Sequence, residues 1–143
     1  MEWIGTAVIF ISIGIIMAGL ADRAVPFKLL EIDRPAAPPG GKVAFDAKVW
    51  RGITRDCDVM MYRSVFHSGG RRLDLDPQYY SAAFIREMER KTPGRMRPEI
   101  EVPDNATPGE AYVLSTLRYT CNKYQVLLPI DVHTVMYFDV LPK

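Results

Sequence analysis

The chain has 143 residues, room for one domain of ordinary size plus an appendage and not for two large cores. Eighteen Lys and Arg against 17 Asp and Glu leave a formal net charge of +1, which excludes the strongly basic balance of a whole-protein nucleic-acid binder. Residues 51–97 carry ten basic against six acidic side chains and residues 98–143 three against six, a bipolarity that ordinary solvated faces account for.

The first element is the appendage. "WIGTAVIFISIGIIMAGLA", residues 3–21, runs 19 residues without a charge. As a helix it reaches about 28 Å, close to the hydrocarbon thickness of a bilayer. Thr6 and Ser12 are its clearly polar side chains, so it lacks the polar stripe of a soluble amphipathic helix. A cleaved signal peptide is the competing reading, because Gly19 and Ala21 are small residues at the spacing a signal peptidase reads. The start "ME" has no Lys or Arg and the apolar run exceeds an ordinary signal core, which favours an uncleaved transmembrane anchor over residues 1–23. Gly14 and Ala18 form a small-xxx-small pair that would let a second helix approach, although both residue types are common in membrane helices anyway.

Residues 24–41 change character, with Pro26, Pro35, Pro38, Pro39 and the pair Gly40 and Gly41. Proline denies helix continuation, so this is read as a Pro-rich linker holding a first strand, "FKLLEID", and a tight turn, "PPGG". From Lys42 the pattern alternates: Val43, Phe45, Ala47 and Val49 on one face, Lys42, Asp46 and Lys48 on the other, a half-buried strand. Beyond the turn "RGITRD", the run from Cys57 to His67 reads as a strand closed by "SGG", with "RRLDLD" pairing back onto it. Residues 77–91 are ambiguous between helix and sheet edge. Asp76 and Pro77 are good helix-start residues and Phe84, Ile85 and Met88 share a helical face, so a short helix is expected there. "PEIEVPDNATPGEAYVLSTLRYTC" then reads as strand, loop and long strand, and "DVHTVMYFDVLP" as a terminal strand.

Short strands recurring every 8 to 15 residues or so, fenced by Pro, Gly, Asn or Asp, point to a mainly β, antiparallel β-sandwich over residues 42–143. "PPGGKVAFDAKV" is similar to the proline-glycine turn leading into the second strand of immunoglobulin-like domains, and "ATPGEAYVLSTLRYTC" to their penultimate strand. Over residues 26–141 the chain thus resembles membrane-anchored immunoglobulin-like proteins of bacterial and tailed-phage surfaces. It departs from antibody domains in lacking their second-strand cysteine and core tryptophan, so antibody-type binding loops are not implied.

In that topology the strand starting at Cys57 and the strand ending at Cys121 are antiparallel neighbours, which places the two cysteines together at one rim and predicts a disulfide. The alternative is two separate buried thiols. A disulfide calls for an oxidising compartment, hence a β domain in the periplasm or outside the cell. Arg23, Lys28 and Arg34 after the apolar segment, with no Lys or Arg before it, argue for the opposite orientation. "NAT" at Asn105 is a glycosylation sequon in a eukaryotic host and a plain turn otherwise.

Signals for chemistry are sparse. His67 and His133 lack metal-ligand spacing and are expected at the surface or a rim. Asp74 and Asp76 copy a two-carboxylate spacing without its context and read as a solvated turn, and "GGRR" lacks the strand-to-helix setting of a phosphate loop. No nucleophile and base stand out, so no enzyme, cofactor, metal or small-molecule substrate is expected. Arg86, Arg90, Lys91, Arg95 and Arg97 fall within twelve residues and, on one face, would form a patch for an anionic partner; a charged helix and loop that keep the domain soluble is the simpler reading. The expected function is a non-enzymatic membrane-tethered interaction module whose partners are the lipid bilayer and another protein. A structural subunit of a larger membrane assembly or membrane-containing virion is the alternative.

Overall fold

In the computed structural model, which describes residues 2–143 and the side chains of 3–143, the chain is mainly β with an N-terminal apolar helix and a second, shorter helix. Helix α1 spans Glu2–Ala21, and the stretch Trp3–Ala21 has a mean hydropathy of 2.4. It is long and apolar enough to cross a membrane, and none of it is buried by the rest of the chain.

The strands form two layers. Strands β1 (Phe27–Ile32), β4 (Ala47–Arg51) and β8 (Arg95–Met96) make one small sheet, and β3 (Lys42–Ala44) pairs with β9 (Glu99–Glu101) beside it. Opposite lies a larger sheet in the order β2 (Ala36–Ala37), β11 (Ile130–Val140), β10 (Gly109–Thr120), β5 (Asp58–His67), β6 (Arg72–Asp74), with β7 (Gln78–Tyr80) also paired to β5. Every pairing is antiparallel except β2 with β11. The Pro-rich stretch is therefore bound into both layers. Phe27 is buried, and Ala36 and Ala37 lie along Asp139 and Val140.

Val43, Phe45, Ala47 and Val49 are all buried, as their alternation requires, but the backbone does not run as one strand. It breaks at Phe45 and Asp46, where Phe45 N–H turns to the carbonyl of Pro98 and Asp46 N–H to the Asp33 carboxylate. The helix expected from Asp76 and Pro77 starts later. Residues Gln78–Tyr80 stay extended against β5, and Ser81 caps α2 (Ala82–Lys91), its Oγ accepting from Phe84 N–H at 3.2 Å. The competing partner, a sheet edge, takes residues 78–80 of the segment.

The core between the layers falls into two clusters. One joins Val43, Phe45, Ile100 and Val102 to Val65, Val113, Met136 and Phe138; the other joins Phe27, Ala47 and Val49 to Val59, Leu117, Tyr119 and Ile130. The interruption is legible in the register of the large sheet. Side chains of one parity face inward along each strand, and Arg63, Ser115 and Thr134 stand opposite one another as a polar row across β5, β10 and β11. Apolar positions above the row belong to the first cluster and those below it to the second.

On the outer face, Arg118 and Asp131 form a two-bond pair between β10 and β11, at 3.0 and 3.1 Å. The hydrogen bonds from Arg118 hold the Asp131 carboxyl below its ordinary range; those from Ser64 do so for Asp74 and those from Arg34 for Asp139. A carboxyl depressed in the folded state stabilises it above the unfolded value of about 3.9, and the contribution is lost as pH falls through the lower folded value. Stability is therefore expected to be level through neutral pH and to decline below about pH 4. In the Arg118→Met variant, an NMR titration should find the Asp131 pKa returned upward; an unchanged value would refute the assignment of its cause.

Candidate functional site

Where the polar row divides the core, the layers enclose a cleft of about 400 Å³. Its floor is the inner face of the large sheet, with Met61, Leu117 and Tyr119 on one side of the row and Met136 on the other. Helix α2 supplies a wall through Ile85 and Met88. That wall is pinned by Arg51, whose side chain is almost wholly buried: it donates to Glu89 Oε2 at 2.6 Å and to the carbonyl of Arg95 at 2.7 Å. Glu89 also accepts from Gly94 N–H at 3.0 Å, in a turn where Gly94 has φ +65°. Helix, turn and β4 are thus tied through one charged pair.

The row itself is not satisfied internally. Ser115 is 3% exposed and its Oγ has no hydrogen-bond partner, nor has the buried Nε of Arg63, and Arg63 makes no ion pair among the described residues. Burial pushes the Tyr119 phenol well above its ordinary pKa, so it stays neutral and capable of donating. A cation without a counter-ion among the described residues, set between apolar walls, is equipped to hold an acceptor or an anion.

The basic cluster read from the sequence is divided by the fold. Arg86, Arg95 and Arg97 line the cleft. Arg90 instead makes a two-bond pair with Glu87, at 2.9 and 2.5 Å, and Lys91 lies 3.8 Å from the same carboxylate. Arg86 is paired with Asp56. Glu87 lies within one turn of both Arg90 and Lys91 and offsets their charge, whereas Arg86, Arg95 and Arg97 are among the residues around the cleft.

A second set of side chains gathers where α1 leaves the domain. The 3-10 turn Lys123–Val126 is capped by Asn122, whose Oδ1 accepts from the N–H groups of Tyr124 and Gln125. Asn122 also donates to the carbonyl of Gly19 at 3.0 Å. Gln125, fully buried, accepts from Cys121 N–H at 2.7 Å and donates to the carbonyl of Asp22 at 2.7 Å. Arg23 donates to the carbonyls of Leu128 and Pro129, and Arg55 bonds the Asp22 carboxylate and the Ala24 carbonyl. The bond from Asn122 satisfies an orphan carbonyl in the last turn of α1 and the bond from Gln125 the carbonyl just beyond it, each across 103 positions of sequence. Beside them Val126, Leu127 and Leu128 stand 71%, 82% and 53% exposed.

At this same rim the Sγ atoms of Cys57 and Cys121 lie 2.09 Å apart, at disulfide distance. Thr120 pairs with Asp58 at the end of the β10 and β5 ladder, so the cysteines are the next opposed positions. Gly14 and Ala18 lie on the exposed length of α1. The histidine expectation needs a correction for His67, which is buried; its Nδ1 accepts from Thr107 N–H at 3.4 Å, because its inward parity on β5 outweighs its place at the strand end. His133 is exposed and within 3.1 Å of Thr116 Oγ1. Among the described residues no group of three or more His, Cys, Asp or Glu side chains is placed to hold a metal ion.

The sequence reading missed Arg63, Ser115 and Thr134 as a set, and Asn122 and Gln125 as a clasp. Its available signal was a polar residue of core parity in each long strand: Arg63 between Met61 and Val65, Ser115 between Val113 and Leu117, and Thr134 between Val132 and Met136. No protein-family model matches this chain, and a search of curated proteins finds no relative.

Proposed function

We propose that the protein is a single-pass, membrane-tethered, non-enzymatic interaction module whose β domain is held against the bilayer surface on its oxidising side. The observation that carries this reading is the junction at residues 19–24. An apolar helix exposed up to its last turn ends in a set of hydrogen bonds to the β domain, and three exposed apolar side chains, Val126, Leu127 and Leu128, lie beside that junction. In water such a cluster carries an exposure penalty. At the bilayer interface it is buried together with the helix, with Tyr124 and Lys123 beside it as an interfacial ring and a cation for headgroups. The paired cysteines support the oxidising side.

An immunoglobulin-like reading of the β domain draws support from the strand order, with β1, β4 and β8 in one layer, β11, β10 and β5 in the other, and β2 crossing over to run parallel to β11. It is a resemblance of arrangement and assigns no binding loop.

The test is tryptophan fluorescence of the full chain in bilayers of brominated lipid. With Trp3 and Trp50 replaced by Phe, a Leu127→Trp variant should be quenched strongly, and more so than a Tyr137→Trp control in the same background. Gly19→Leu should weaken that quenching, since even a Cβ at Gly19 would stand 2.5 Å from the Tyr124 ring and force the turn away from the helix. Equal quenching at both positions, or mature protein recovered in the soluble fraction starting near Asp22, would overturn the tethered reading. Gentle solubilisation followed by mass measurement separates a lone module from a subunit of a larger assembly.

A further inference from the structure

The geometry points to the inter-layer cleft as a binding site for an amphipathic anion, a single aliphatic chain carrying a carboxylate or phosphate, with the head on Arg63 and Ser115 and the chain against the methionine-lined walls. This inference concerns the β domain alone and stands whether or not α1 spans a bilayer.

Three observations carry it. The first is the unanswered polar row. An unpaired buried hydroxyl and a guanidinium nitrogen without an acceptor each cost free energy that a bound acceptor returns, and a hydrogen bond between charged partners returns more than a neutral one. The second is the sign of the surroundings. Arg51 and Arg55 are neutralised by Glu89 and Asp22 and Arg86 by Asp56, whereas Arg63 and Arg97 have no ion pair among the described residues; Glu99 is the one carboxylate among the described residues that line the cleft. The uncompensated charge facing the space is positive, which selects an anion.

The third is the shape and lining. Met61, Met88, Met96 and Met136 meet around the cleft, and unbranched thioether side chains adapt to a flexible aliphatic chain better than branched ones do. At roughly 30 Å³ for each water-sized atom, the 400 Å³ admits about a dozen non-hydrogen atoms. That is one medium-length chain with its head, within the volume range of small-molecule sites and too small for a two-chain lipid.

The test uses the full chain in nanodiscs of zwitterionic lipid and two photoreactive probes with the same diazirine-bearing octyl tail, one ending in carboxylate and the other in trimethylammonium. After photolysis, peptide mapping by mass spectrometry reads where each tail sat. The carboxylate probe should label peptides of β5, β10 and α2, while the cationic probe, dissolved in the bilayer, labels α1. Unlabelled octanoate or octyl phosphate should compete, and whichever competes at lower concentration identifies the head group. Arg63→Met should reduce the cleft labelling at least about tenfold, the worth of a charge-assisted hydrogen bond, and Arg63→Lys should retain part of it. The head-group comparison in the unaltered protein needs no variant to fold. Equal cleft labelling by both probes, labelling confined to α1, or competition by neither anion would overturn the proposal.

Discussion

Replacing Cys121 with Ser lowers the unfolding free energy of the oxidised protein by about 4 kcal/mol, judged from the entropy of the chain the bridge closes. The two cysteines are 64 positions apart in sequence, so the link removes many conformations from the unfolded chain and leaves the folded one, where the ladder already brings them together, largely unchanged. Cys57 is buried among Phe27, Val59 and Tyr119, and the remaining thiol would stay there as a small apolar side chain. The loss is thus expected in the oxidised material and absent when both proteins are reduced. Denaturant unfolding of the full chain in micelles, followed by near-ultraviolet circular dichroism, measures it. Equal midpoints for the oxidised protein and the variant would remove the bridge's role and, with it, the main support for an oxidising compartment. Arg23, Lys28 and Arg34 would then decide orientation in favour of the cytoplasm.

Phe138→Ala is expected to cost about 4 kcal/mol, within the range for emptying a fully buried aromatic site. Phe138 lies on β11 of the large sheet and Phe45 in the opposite layer; both are 0% exposed and their rings meet edge to face at 6.2 Å. The pair links the layers in the cluster above the polar row, and the disulfide belongs to the cluster below. Phe45→Ala should cost a similar amount, and the double variant less than the sum of the two, since the edge-to-face contact is counted in each. Additive losses would mean that the layers do not meet through these rings. Combined with Cys121→Ser, Phe138→Ala should be nearly additive, because the two residues belong to different clusters, which meet through Ile32.

Elements whose cause is local were readable in the chain itself. The apolar run of α1 needs no partner to be recognised, because lipid-compatible composition and length are properties of one segment. The strands of β5, β10 and β11 were readable for the same reason: alternation has a period of two, and burial follows parity. The pairing of Cys57 with Cys121 followed once two strands were placed side by side. What sequence alone left undecided depends on which of two partners a backbone or side chain finds. Residues 78–80 had to choose between the first turn of a helix and the free edge of β5, and only the presence of that edge moved the cap to Ser81. Phe45 and Asp46 leave the ladder because Pro98 and Asp33 offer acceptors there, groups remote in sequence.

The cleft belongs to this second kind. Arg63, Ser115 and Thr134 are separated by 52 and 19 positions, and each by itself reads as an ordinary polar residue in a strand. They become one row only when the registers of two ladders are set, and the row becomes a site only because the opposite layer supplies no partner for it. The clasp at the base has the same origin. Gln125 and Asn122 sit in a short turn whose composition says nothing of a helix end a hundred residues earlier, and the bonds they make exist because α1 returns to that rim. Segment composition determined that this chain has an anchor-like helix and a β domain. Tertiary structure decided which groups join the two and where the domain keeps an unpaired charge.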